Sequence, residues 1–137
     1  MDLSGSCLCG KVSISTEAAK GRLDACHCAM CRKWGGGPYL SVDCGPKMEI
    51  SGKEHLGIFD SSEWAQRAFC KECGTHIYYD LKGADHYGVP IGILDGVDDF
   101  KFEEQIFIDK KPAYYEFANT TENLTEAEVF AKYAPKE

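Results

Sequence analysis

The chain has 137 residues, and this length suits one domain spanning 1–137. Its 44% hydrophobic and 27% charged residues are ordinary for a globular protein, and its 14 glycines favour a turn-rich, mainly β fold over a helical bundle. A net charge of -7, with no Lys/Arg cluster longer than a pair, argues against nucleic acid as a partner, and no apolar run approaches membrane-spanning length.

The first residues, Met1 to Ser6, show neither the basic nor the apolar region of an export signal. A cytoplasmic, reducing setting is therefore expected, with thiols in place of disulfides. Residues 6–15 read as extended, with Leu8, Val12 and Ile14 on one face and Cys7, Cys9, Lys11 and Ser13 on the other. The same alternation puts Cys26 and Cys28 on one side and turns His27 away. A short helical turn over 29–34 should end at Gly35-Gly36-Gly37. Strands are expected over 39–42, 48–50, 56–59 and 65–69, followed by a zinc knuckle at Cys70-Lys71-Glu72-Cys73-Gly74. Further strands are expected over 75–81, 87–94 and 105–108, with Asp95 to Asp99 as a turn. Near the end, Thr125 and Glu128 form a capping box, Leu124 and Val129 a hydrophobic staple, and Val129, Phe130 and Tyr133 a buried stripe. Trp34 and Trp64 are expected in the core or as pocket walls.

Of the eight cysteines, seven fall into Cys7-x-Cys9, Cys26-x-Cys28-x-x-Cys31 and Cys70-x-x-Cys73. Zinc takes four protein ligands in structural sites and typically three in catalytic ones. Cys7, Cys9, Cys70 and Cys73 would make one closed, structural zinc site. Cys26, Cys28 and Cys31 would make an open one, giving two zincs per chain. An open zinc can deprotonate a substrate thiol and polarise a carbonyl. Cys44, or one of His27, His55, His76 and His86, could instead close that site. Arg32 and Lys33 directly follow the three-cysteine cluster and could hold a ligand's carboxylate, Arg bidentately.

The segments Gly5-Ser6-Cys7-Leu8-Cys9-Gly10-Lys11-Val12, Cys26-His27-Cys28-Ala29-Met30-Cys31-Arg32-Lys33 and Phe69-Cys70-Lys71-Glu72-Cys73-Gly74-Thr75-His76-Ile77 resemble the glutathione-dependent formaldehyde-activating enzyme family, also called the centromere-protein-V-like family. Ile106 to Tyr115 is similar to the family's closing segment, with Tyr114 where the family often has Trp. The resemblance implies a β-tent fold, two β-sheets with a zinc knuckle and few short helices. It implies the same division of the cysteines into structural and catalytic sites. It also implies a carbon–sulfur lyase that joins glutathione and formaldehyde into S-hydroxymethylglutathione. The rival expectations are a non-catalytic glutathione or zinc carrier and an interaction module of the same fold.

Overall fold

The structure is a computed structural model that describes residues 1–18 and 20–133, with the side chain of Tyr133, expected in the buried stripe, outside the described part. In chain order the elements are β1 (Asp2–Ser6), β2 (Ser13–Ala18), β3 (Arg22–Cys26), α1 (Ala29–Gly35), β4 (Tyr39–Ser51), β5 (Leu56–Asp60), β6 (Ala65–Cys70), β7 (His76–Leu81), β8 (Tyr87–Pro90), β9 (Lys101–Ile106), β10 (Glu122–Leu124) and α2 (Glu126–Tyr133). Short 3-10 turns cover Lys53–His55, Ile91–Ile93 and Ile108–Lys110. The chain is mainly β, as expected, and its sheet is not closed.

The chain divides into two compact units, each built from separated segments. The first comprises Met1–Gly21 and Ser41–Phe100. Its strands pair antiparallel: β1 with β2, β2 and β8 each with β4, then β8 with β7, β7 with β6 and β6 with β5. Val12, Val42, Ala68, Ile77 and Val89 are wholly buried in it. Alternation along β1 and β2 directs Leu3, Ile14, Thr16 and Ala18 inward, the period-two pattern of a half-buried sheet. The second unit comprises Arg22–Leu40 and Lys101–Glu137. There β9 pairs parallel with both β3 and β10. Leu23, Ala25, Leu124 and Val129 are buried in this unit, and so are His27, Glu104 and Gln105.

Several expectations need correction. Residues 7–12 form a hairpin turn between β1 and β2 and are not a strand, because Gly10 at φ 80° bends the chain and donates its N–H to the Cys7 carbonyl at 3.1 Å. Leu8 therefore sits at the turn's tip, 89% exposed, while Val12 and Ile14 pack inward. The strands expected over 39–42 and 48–50 are one continuous strand, β4. The strand expected over 87–94 stops at Pro90, where the chain enters a 3-10 turn. The last long strand ends at Ile106 and not at residue 108, because Phe107 adopts the left-handed conformation at φ 57°. β1, β3 and β10 went unrecognised as strands: the first is polar at alternate positions, and the last is three residues long. Trp64 is 58% exposed and so is not core.

The C-terminal capping box forms as read: the Thr125 N–H donates to Glu128 Oε1 at 3.1 Å and the Glu128 N–H to Thr125 Oγ1 at 3.2 Å. Val129 is buried, whereas Phe130 is 57% exposed and lies edge-on to Phe107 at 6.0 Å. Lys132 Nζ reaches Glu104 Oε2 at 3.2 Å, tying α2 to the buried acid of β9.

Gly5 lies where β1 meets the backbone of residues 93 and 94, and a Cβ there would collide with the Ile93 carbonyl. Gly5→Ala should therefore destabilise the protein by about 2 kcal/mol or more, whereas Gly37→Ala, which enters open space, should change stability by less than about 0.5 kcal/mol. Urea denaturation of both variants checks the difference.

Candidate metal centres

Two groups of cysteines come together, each within a single unit. In the first unit Cys7, Cys9, Cys70 and Cys73 place their sulfurs within 4.8 Å of one another. The Cys9 sulfur lies 3.6 Å from that of Cys7 and 3.7 Å from that of Cys70. Four Zn–S bonds of about 2.3 Å at tetrahedral angles require sulfur separations of about 3.8 Å, so this cluster fits a tetrahedral metal.

Two turns, each closed by a glycine N–H, build the cluster. The Cys7 carbonyl accepts from the Gly10 N–H at 3.1 Å, and the Cys70 carbonyl from the Gly74 N–H at 2.8 Å. Gly10 and Gly74 take positive φ of 80° and 78°, a conformation available at little cost only without a Cβ. Each turn then aims backbone N–H groups at sulfur, as when Val12 N–H donates to Cys7 Sγ at 3.3 Å. The sequence reading missed Thr75, which joins the turns. Its Oγ1 accepts from the Leu8 N–H at 3.1 Å and lies 3.2 Å from Cys73 Sγ, to whose ionised form it donates its one proton. A hydroxyl residue directly after Cys-x-x-Cys-Gly is the signal that could have revealed it.

The electrostatics show why four thiols need a cation. The Thr75 hydroxyl, the Thr75 N–H and the Cys9 N–H hold the Cys73 thiol down at about 5. For Cys9 the Lys11 N–H works in the same direction. Desolvation and the thiols of Cys7, Cys73 and Cys70 outweigh it and push Cys9 up to about 12. Without a positive ion, only part of the cluster can ionise.

In the second unit Cys26, Cys28 and Cys31 likewise gather within 4.8 Å. Cys26 ends β3, Cys28 is the N-cap of α1, and Cys31 lies in the first turn of that helix. A spacing of three residues puts Cys28 and Cys31 on one side of the helix. Cys28 Sγ accepts the Cys31 N–H at 3.3 Å. The neighbouring thiols of Cys28 and Cys31, together with burial, push Cys26 far above its ordinary value. This cluster also fits a cation, which would let all three thiols ionise.

His27, between two of these cysteines, is fully buried. Its Nδ1 lies 2.7 Å from the Tyr115 hydroxyl and its Nε2 2.8 Å from Gln105 Oε1, so both ring nitrogens are committed away from a metal. Burial, opposed by Gln105 and reinforced by Lys111 and Arg32, lowers its pKa and keeps it neutral. Arg32 is part-buried on α1, and its Nε–H donates to the His27 carbonyl at 3.0 Å. Lys33 is exposed on the same helix. Cys44 joins neither cluster among the described residues, and it is 1% exposed on β4. His55 contacts Glu72 at 3.3 Å and Glu54 at 3.5 Å, His86 approaches Asp43 at 4.0 Å, and His76 opens β7. None of the three belongs to either group.

Residues 2–110 match the family described as glutathione-dependent formaldehyde-activating enzyme. The chain belongs to this family. It is 35% identical over 129 residues to a Schizosaccharomyces pombe protein described as an uncharacterized lyase, covering 93% of this chain and 94% of that one. An Aspergillus flavus protein named for the same formaldehyde-activating enzymes is 35% identical over 90 residues, 58% of this chain and 47% of its own. A crystal structure of a Rhodobacter sphaeroides protein shares the fold, with a TM-score of 0.60 and 24% identity over 72% of this chain and 98% of that one. Family membership and the lyase name support a lyase-type enzyme with two cysteine clusters able to hold metal. No described helix is long and apolar enough to cross a membrane.

Desolvation, and secondarily Asp43, push the Cys44 thiol from 9.0 up to about 12. The unfolded chain then loses this proton first as pH rises. Cys44 therefore contributes stability below pH 9 that declines between pH 9 and about 12. The alkaline fall in urea midpoint should be shallower in Cys44→Ala than in the unaltered chain, with metal content unchanged.

Proposed function

We propose that the protein is a zinc-dependent carbon–sulfur lyase acting on thiol–aldehyde adducts, with glutathione and formaldehyde as the thiol and the aldehyde. The observation carrying this reading is the three-thiol group of Cys26, Cys28 and Cys31, beside which His27 uses both ring nitrogens elsewhere. Three thiolates leave a fourth coordination position for a ligand, the pattern of catalytic zinc. Cys7, Cys9, Cys70 and Cys73 hold a second, structural zinc, giving two per chain. The relatives' names support glutathione and formaldehyde as the reactants. The reaction is placed in the cytoplasm, where thiols stay reduced.

In the synthetic direction a carbon–sulfur bond forms, the carbonyl π bond opens, and the proton leaving the thiol ends on the new hydroxyl. Zinc held by Cys26, Cys28 and Cys31 would supply the charge that lowers the thiol's pKa. Arg32 holds a substrate carboxylate through guanidinium N–H groups other than Nε–H, which is already bonded to the His27 carbonyl. Lys33, exposed one residue on, adds positive charge for the same acidic ligand.

Metal analysis should find two zincs in the unaltered chain and one in Cys28→Ser, whose fold persists. The rate of adduct formation in Cys28→Ser should fall to that of the spontaneous reaction. A variant with one zinc and undiminished activity would sink the catalytic assignment. Thiol binding by the unaltered chain with no rate above background would make it a carrier. Arg32→Ala should raise KM for glutathione about tenfold or more, the worth of a hydrogen bond to a charged group, with a smaller change in kcat. Zinc K-edge absorption should gain a sulfur neighbour at one site when glutathione is added. A spectrum unchanged by thiol would argue for two closed sites.

A further inference from the structure

A single line of hydrogen bonds runs from the three-cysteine loop to the surface of the second unit. The Tyr115 hydroxyl meets His27 Nδ1 at 2.7 Å, and His27 Nε2 meets Gln105 Oε1 at 2.8 Å. Gln105 Nε2 donates to Thr121 Oγ1 at 2.9 Å, and Thr121 Oγ1 donates to Asn123 Oδ1 at 2.6 Å. The direction of every bond follows from the far end. A threonine hydroxyl has one proton, and Thr121 gives it to Asn123. The Gln105 atom facing Thr121 must then be its NH2, so its oxygen faces His27. That oxygen can only accept, so the one proton of the neutral imidazole is on Nε2 and Nδ1 is bare. Tyr115 must therefore donate its own proton to Nδ1. Its phenolic oxygen is left with accepting lone pairs alone.

The surroundings hold this arrangement in place. His27 and Gln105 are buried and Tyr115 is half-buried, so of these three the tyrosine is the one accessible to a ligand. Lys111 Nζ donates to the Tyr115 carbonyl at 2.6 Å, and the Tyr115 ring stacks on His27 with centroids 5.5 Å apart. Desolvation raises the Tyr115 hydroxyl above its ordinary value against the pull of Arg32, and Cys26 is near enough to act on it electrostatically.

We infer that Tyr115 recognises the hydroxyl of the adduct, and that His27 and Gln105 are positioning residues that keep its phenolic oxygen a hydrogen-bond acceptor beside the three-cysteine group. This rests on the thiol-adduct reading above. An oriented acceptor favours a ligand that presents an O–H donor, as a hydroxyalkyl thioether does. It gives nothing to a carbonyl or a simple thioether, neither of which can donate.

The test compares S-hydroxymethylglutathione with S-methylglutathione, which has the same sulfur linkage and lacks the hydroxyl. Calorimetry on the zinc-loaded chain should show the hydroxyl compound binding about 5- to 10-fold more tightly, the worth of one hydrogen bond. Tyr115→Phe should reduce that ratio to about one and leave S-methylglutathione affinity unchanged. Gln105→Leu, which removes the acceptor that holds the proton on Nε2, should lower the ratio. Imidazole nitrogen-15 spectra should show His27 protonated at Nε2 and bare at Nδ1. An unchanged ratio in Tyr115→Phe, equal binding of both compounds by the unaltered chain, or a proton on Nδ1 each overturns the inference and leaves the thiol-adduct reading standing. Failure of the unaltered chain to bind either compound overturns that reading and this ligand assignment together.

Discussion

Four sulfurs within 4.8 Å are a problem of charge before they are a problem of shape. Each thiolate raises the cost of ionising the next, and only a cation at the centre relieves all of them. The first unit is arranged around that requirement. One pair of thiols lies in the turn between β1 and β2, and the other lies in the turn between β6 and β7. More than sixty residues separate Cys9 from Cys70, so a metal joining them closes a long loop of chain. Thr75 adds a neutral link across the same junction, accepting from one turn and donating to a sulfur of the other.

The second unit meets the same constraint with less sequence. One short stretch, from the end of β3 into the first turn of α1, delivers three thiols. The residue in their midst, His27, has the chemistry of a fourth ligand, but two hydrogen bonds hold its ring away from them. Burying an imidazole is costly unless both nitrogens are satisfied. Gln105 and Tyr115 satisfy them, and through Tyr115 the buried ring governs a group that a ligand can reach. One set of bonds thus serves stability and recognition together.

The two clusters differ in what surrounds them. The four-cysteine group takes a hydrogen bond from the Val12 N–H and is linked across its two turns by Thr75. The three-cysteine group is followed directly on α1 by Arg32 and Lys33, two cations suited to an acidic ligand. Four thiols against three is the contrast behind the proposed structural role of the first group and the proposed chemical role of the second.

The sequence alone determined the partition of the cysteines, the knuckle at Cys70 to Gly74, the capping box at Thr125 and Glu128 and the mainly β character. Spacing, cap chemistry and turn residues are local properties, and local physics reads them. It misjudged Leu8, because a glycine at positive φ overrode the alternation assumed for a strand. It misjudged Trp64 and Phe130, because residue type alone does not decide which side of an element is covered. Only the tertiary structure decided that Thr75 links the two cysteine turns, that Cys44 stands apart from both clusters, and that Tyr115 and Gln105 hold His27. Tyr115 is 88 residues from His27 in sequence and Gln105 is 78. No periodicity within a strand or helix carries information over such a separation, so those contacts exist only once the chain has folded.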